Sequence, residues 1–266
     1  MFHRFQWTGV SSRRNSITEE YEPLQPFFLI ATMERLGCNS FVDVGANIGA
    51  YSLFASQVAS IDRIVAFEAN PDVAEELRAN LSANGIAGDV REVAVSDTPG
   101  EIEFGIVSRY AGNSGVAATA HADTQYARTV KVAAVKLDDA LAGLPYPAAI
   151  KVDVEGHEAE VLGGAHSALT GGKCIVQIEN YADTLTPVFA ELGYRRLATI
   201  GPDQYFTNND ALDAAELFEE SARLLIASNH ENKRVTFRRG GLGVELSGKP
   251  YRFVKGLAER VMRGRL

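Results

Sequence analysis

The chain has little cysteine. Cys38 and Cys174 are the only two among 266 residues, and they form no CxxC pair. That excludes a zinc ribbon and a disulfide framework, and reads as two reduced thiols in a cytoplasmic protein. No apolar run reaches the roughly 18 residues of a bilayer-spanning helix, so no transmembrane segment is expected. Met1 to Gln6 contains no apolar h-region, so no secretory signal is expected either. Positive charge is also in deficit, with 26 Lys and Arg against 34 Asp and Glu and a net charge of -8. Such a chain has no global electrostatic reason to bind nucleic acid. One local exception is the basic C-terminus, where Arg252, Lys255, Arg260, Arg263 and Arg265 face a single acid, Glu259. It reads as a solvated or oligomer-contacting helix, or as a weak peripheral membrane contact. Finally, no G-x-G-x-x-G fingerprint of dinucleotide binding is present.

What is present is the composition of a globular protein, 46% hydrophobic and 23% charged, enough to build a core and exclude global disorder. Strand-like and helix-like segments alternate. Phe41–Val44, Arg63–Glu68 and Val90–Val95 read as strands; residues 49–59 and Asp72–Asn84 read as helices between them. This spacing predicts βαβ units and a mostly parallel sheet. The rhythm breaks between Asp97 and Pro147, where two strands, Glu101–Val107 and Thr129–Leu137, flank a small-residue stretch, Tyr110–Thr124. Alternation resumes with the strand Ala149–Asp153, a helix over Glu158–Leu169, the strand Lys173–Glu179, a helix over Thr184–Leu192, and terminal strands at Arg196–Ile200 and Gln204–Thr207. The expected organisation is an N-terminal arm and helix over 1–37 that covers an acceptor pocket, a main domain over 38–208, and a helical and hairpin extension over 209–266.

Ligands of open α/β sheets bind at the C-terminal strand ends. At the first such end lies Asp43-Val44-Gly45-Ala46-Asn47-Ile48-Gly49. Gly45 lets the backbone turn, and Gly49 lets neighbouring elements pack closely. A pyrophosphate wants a bare helix N-terminus. Here Asp43 precedes the loop, and its carboxylate suits a cationic group such as the ammonium of S-adenosylmethionine; a helix cap is its plainer alternative. Glu68 ends the second strand, where a carboxylate can accept both ribose hydroxyls. Ser96 and Asp97 end the third, where a side chain can meet an adenine amino group.

Three stretches then carry a family resemblance: FVDVGANIGAYS over Phe41–Ser52, VAFEANP over Val65–Pro71, and IKVDVEGHE over Ile150–Glu158, continued by VLGGA over Val161–Ala165. Together they resemble FkbM-type methyltransferases over roughly residues 38–208. Ala69 departs from the family, which commonly has proline there. The resemblance implies a Rossmann-like class I methyltransferase sheet with an antiparallel terminal strand, plus an inserted hairpin and a C-terminal extension. It implies S-adenosylmethionine as cofactor and a hydroxyl of a sugar, glycolipid or other natural product as methyl acceptor. The expected cofactor residues are Asp43, Gly45, Ala46, Asn47, Gly49, Tyr51, Ser52, Glu68, Ala69, Asn70, Ser96, Asp97 and Asp153.

A hydroxyl is a weak nucleophile and needs a base or a cation. Asp153, Glu155, His157 and Glu179 are the candidate catalytic residues. Lys151 shares a strand face with Asp153 and can pair with it. Asp153 with Glu179 and Asn180 also resembles the divalent-metal triad of catechol-type O-methyltransferases, whose hard oxygen ligands suit Mg²⁺. Two other readings stand beside this one: a nicotinamide-dependent oxidoreductase, and a non-catalytic nucleoside-binding protein on the same fold.

Overall fold

The computed structural model describes residues 22, 24–107, 114–119 and 125–228, together with the backbone of 235–239 and 242–246. The expected arm over residues 1–21, part of the small-residue loop and the basic C-terminal helix lie outside these residues.

Chain order sets the sheet. Helix α1 (Gln25–Leu36) is followed by β1 (Ser40–Val44), α2 (Ala50–Ala55), β2 (Arg63–Phe67), α3 (Pro71–Ala83) and β3 (Gly88–Arg91). After an insertion come β8 (Ala148–Val152), α5 (Glu158–Gly163), α6 (His166–Thr170), β9 (Cys174–Glu179), α7 (Thr186–Glu191), β10 (Arg195–Ile200), β11 (Asp203–Thr207) and α8 (Ala214–Ser228). These strands form one seven-stranded sheet in the order β10-β11-β9-β8-β1-β2-β3. All pairs are parallel except those made by β11, which runs antiparallel to β9 and β10. The Rossmann-like sheet with its antiparallel terminal strand is therefore present.

Both faces are buried, as a parallel sheet requires. Phe41, Ile64, Ala149 and Ile175 point into a core shared with α1, α2 and α8. Their strand neighbours Val42, Val65, Ile150 and Val176 point into the opposite core, with α5, α6 and α7. Helix α1 packs into that first core, where Phe28, Leu29, Ile30, Ala31 and Met33 are essentially solvent-free. Helix α8, expected as an appendage, closes the same core through Leu217, Ala222 and Leu225.

The insertion is a second sheet, of β4 (Ala94–Val95), β5 (Gly100–Ile106), β6 (Gly115–Val116) and β7 (Arg128–Val135), in the order β4-β7-β5-β6, followed by the short helix α4 (Leu137–Ala140). The third expected strand is thus two. Gly88–Arg91 pairs with β2, and Ala94–Val95 crosses to pair with β7. The single helix expected over Glu158–Leu169 is two, Glu158–Gly163 and His166–Thr170; Gly164 between them passes so close to main chain that a Cβ there would sit 2.3 Å from the Ser96 carbonyl oxygen. Beyond α8, Val235–Arg239 and Leu242–Leu246 form the expected antiparallel hairpin.

One glycine fixes the site. Gly45 has φ +77°, and a Cβ there would lie 1.8 Å from the carbonyl oxygen of Asp153. Its close approach is to the neighbouring strand end. Gly45→Ala combines a left-handed backbone with a collision against main chain. It is expected to lower the unfolding free energy by more than about 2 kcal/mol in urea titrations, while Gly85→Ala, with nothing within 4 Å, costs less.

Candidate active site

A cavity of about 220 Å³ opens at the C-terminal ends of β1, β2 and β8, roofed by the inserted sheet. Gly45, Ala46 and Asn47 form one wall, and Glu68, Ala69 and Asn70 a second. Asp153, Glu155 and His157 close the far end.

Glu68 is 8% exposed and is held by two backbone donors. Asn47 N–H reaches Oε2 and Asn70 N–H reaches Oε1, each at 2.8 Å. Burial pushes its carboxyl up to about 7, although those two hydrogen bonds oppose the shift. Each carboxylate oxygen keeps a further acceptor position. Asn47 itself sits at φ +50°, a conformation asparagine tolerates. Asn70 caps α3, its side chain accepting from Asp72 N–H.

Asp43 is placed otherwise than expected. It has no exposed surface and does not line the cavity. Its Oδ2 accepts from Ser52 N–H at 3.0 Å and Ser52 Oγ at 2.7 Å, so it caps the short α2 from below. The helix-cap alternative describes this geometry, and both Asp43 and Ser52 lie under the loop rather than in the cavity. Burial raises the Asp43 carboxyl, against Lys151 and Ser52.

Strand register explains the rest. Asp43 pairs with Lys151, Lys151 with Gln177, and Gln177 with Tyr205 across β1, β8, β9 and β11. These four polar side chains share one face of the sheet, under Tyr51. Lys151 Nζ lies 2.9 Å from Asp153 Oδ2 and 4.6 Å from the Tyr51 ring centroid. Burial disfavours its charge, but Asp153, Asp43 and Glu22 outweigh burial and raise its pKa. Gln177 donates to Tyr51 Oη and to Asp203 Oδ1, both at 2.9 Å, and Tyr51 Oη donates to Glu22. This network of Tyr51, Gln177, Asp203 and Glu22 was not read from the sequence. Only register could have shown it, since Gln177 and Asp203 sit 26 residues apart in segments that read as plain strands.

One residue past the Val152–Ile178 pair, Asp153 and Glu179 end neighbouring strands. Glu155 follows in a left-handed turn at φ +57°, an uncommon conformation for this residue type that accumulates at functional sites. Glu158 closes that turn, accepting from Val154 and Gly156 N–H at 3.2 Å. Burial and then Asp153 push the Glu155 carboxyl up to about 7 and that of Glu179 up to about 8.

His157 lines the cavity, yet both ring nitrogens are engaged. Nδ1 lies 3.1 Å from Thr119 Oγ1 and Nε2 lies 3.0 Å from Ser96 Oγ. Burial lowers its pKa. In this arrangement it ties the inserted sheet to the main domain instead of offering a free lone pair. Ser96 is occupied by that contact, and Asp97 is exposed beside Gly163. Neither lines the cavity; Val93, Ala94 and Val95 do. The expected oxygen triad does not converge either. Asn180 Oδ1 accepts from Thr184 N–H, and its amide donates to Gln204. Among the described residues no group of three or more His, Cys, Asp or Glu side chains is arranged to hold a metal ion.

The model of the methyltransferase FkbM domain matches residues 43–196, more than half of the chain. The chain belongs to the FkbM methyltransferase family. A hexuronic acid methyltransferase, AglP, of Haloferax volcanii is 36% identical over 130 residues, 48% of this chain and 50% of that protein. The chain thus spans about half the length of that curated relative. Among solved structures, methyltransferase FkbM of Methylobacillus flagellatus KT is similar at a TM-score of 0.46 and 16% identity, over 64% of this chain and 44% of that one. An rRNA methylase of Streptococcus thermophilus is similar at 0.40 and 12%, over 69% and 92%.

Membership of the FkbM methyltransferase family implies S-adenosylmethionine as cofactor and weighs against the nicotinamide reading. The cavity fits that cofactor. Glu68 offers free acceptor positions to a diol, and Phe67, Ala69, Val73, Val93, Val95 and Phe104 make an apolar slot for a flat base. No helix among the described residues is long and apolar enough to cross a membrane.

Proposed function

We propose that this methyltransferase transfers a methyl group to a hydroxyl of a sugar or related natural product. The observation that carries the reading is the end of the cavity, where the Lys151–Asp153 pair stands beside Glu155. Methyl transfer from a sulfonium needs little covalent help; the protein aligns an in-line attack. A hydroxyl must also lose its proton, and a carboxyl pushed up to about 7 is a base matched to neutral pH. In this reading Asp153, its Oδ2 held by Lys151, orients the hydroxyl, and Glu155 accepts the proton. Glu179 lies behind them, and His157 positions the roof. Glu68 accepts the ribose hydroxyls, while Gly45, Ala46, Asn47, Ala69 and Asn70 line the nucleoside side. The name of the H. volcanii relative supports a sugar. A carboxylate acceptor would need no base and would meet three acidic side chains, so a hydroxyl is favoured.

Two pH dependences separate these roles. Glu68 binds a diol as the ionised form, so affinity for S-adenosylhomocysteine holds above the carboxyl's value of about 7 and falls below it. Calorimetry at pH 6 is expected to give about tenfold weaker binding than at pH 8; equal affinities at both would remove Glu68 from the ribose. Turnover with cofactor bound is expected to rise with pH through about 7 as Glu155 ionises, and Glu155→Gln to abolish that limb. A limb that survives in Glu155→Gln assigns the proton to another group.

A further inference from the structure

Two tyrosines outside the cavity lining reach the carboxyl cluster from different elements. Tyr181 follows β9 and is 74% exposed, an unusual position for a large ring, with its Oη 3.4 Å from Glu179 Oε1. Partial burial first, then Glu179, Glu155 and Asp153, push its phenol up to about 12. Tyr126 precedes β7 in the inserted sheet. Its ring lies where a side chain on Gly105 would be, 2.3 Å from that Cβ position, so the glycine makes room for it. Partial burial and the Glu155 carboxyl raise its phenol as well. Gly115 of β6 packs against Glu155, with 3.3 Å from its Cβ position to Glu155 Cβ. The inserted sheet therefore brings an aromatic ring to one side of Glu155, and the turn after β9 brings another to the Glu179 side.

We propose that Tyr181 and Tyr126 flank an acceptor subsite for an uncharged pyranose ring, whose hydroxyls are bound by Glu155 and Glu179 at the cavity mouth. This rests on the sugar-hydroxyl reading above and narrows its substrate class. The C–H faces of a pyranose match the negative faces of aromatic rings, and its hydroxyls match carboxyl oxygens. A uronate is disfavoured. Asp153 and Glu155 already oppose the ionisation of Glu179, and among the described residues the cation facing them, Lys151, is buried against Asp153. A further carboxylate there meets no free cation among the described residues.

The test is saturation-transfer NMR on the full chain loaded with S-adenosylhomocysteine at about pH 7.5, with methyl glucopyranoside and methyl glucuronate glycoside as probes. The glucoside is expected to receive at least about fivefold more saturation on its ring protons than the glucuronate. Tyr181→Ala should bring the glucoside to background, Tyr181→Trp should retain it, and Glu179→Gln should narrow the gap between the sugars. Equal or stronger transfer to glucuronate, an unchanged signal in Tyr181→Ala, or no transfer to either sugar overturns the proposal. Calorimetry of S-adenosylhomocysteine on the same sample separates the two levels. Cofactor binding without sugar contact removes this inference alone, whereas absent cofactor binding removes the reading beneath it as well.

Discussion

Glu68→Ala is expected to weaken binding of S-adenosylhomocysteine by two to four orders of magnitude in calorimetric titration. The size follows from what Glu68 has to offer. Its two oxygens are pre-set by Asn47 and Asn70 N–H, and each would accept one ribose hydroxyl. Hydrogen bonds to a charged group contribute about 1.5–3 kcal/mol each, and every 1.4 kcal/mol is about tenfold in affinity. The fold should tolerate the change better than the site does. Alanine leaves two backbone donors without their acceptor, but it also removes a buried acid whose ionisation burial already resists. Glu68→Gln keeps the shape and one acceptor oxygen and should fall between wild type and alanine. If Glu68→Ala binds as wild type does, the nucleoside does not lie where the second strand ends.

Asp153→Asn is expected to lower kcat by about two to four orders of magnitude with a smaller effect on cofactor affinity. The variant also removes the ionised partner of a buried lysine, because Lys151 is only 4% exposed and its ammonium lies 2.9 Å from Asp153 Oδ2. Breaking such a pair from one side costs about 3–5 kcal/mol, lessened here because Asp43 also faces Lys151. Stability and catalysis can be told apart by adding Lys151→Met. The double variant should recover most of the lost stability, since no unpaired charge remains, and should stay inactive. Recovery of turnover in the double variant would mean that Asp153 serves only to neutralise Lys151.

The sheet was legible in the sequence because parallel strands buried on both faces read as largely apolar runs, interrupted in Phe41–Val44 and Ile175–Ile178 only by Asp43 and Gln177. Strand ends were legible for the same reason: Glu68, Asp153 and Glu179 stand where apolar runs stop. What each acid touches was not legible. Asp43 lies one residue before the end of β1 and Glu68 just past the end of β2, and Asp43 points under the loop to Ser52 while Glu68 lines the cavity. Strand parity puts both on the same nominal face, so the difference lies in Asp43 being within its strand, beneath α2, and Glu68 being beyond the end of its own. After Arg91 the chain leaves the main sheet, so Val93 to Val95 line the cavity while Ser96 and Asp97 lie beyond its lining. His157 stands in a motif that invites a catalytic role, but Thr119, 38 residues earlier, takes one of its nitrogens. Helix α1 reads as part of an arm because its partner α8 is about 180 residues away, as the Arg35–Glu216 ion pair shows.

The nucleoside is expected to lie on Glu68 with the reacting sulfur toward Asp153. A crystal structure with S-adenosylhomocysteine bound decides this. Both ribose hydroxyls should lie within hydrogen-bond distance of the Glu68 carboxylate, the base between Ala69 and Val93–Val95, and the sulfur on the side of Asp153 and Glu155. A ligand seated elsewhere, or one whose ribose leaves Glu68 untouched, would contradict it.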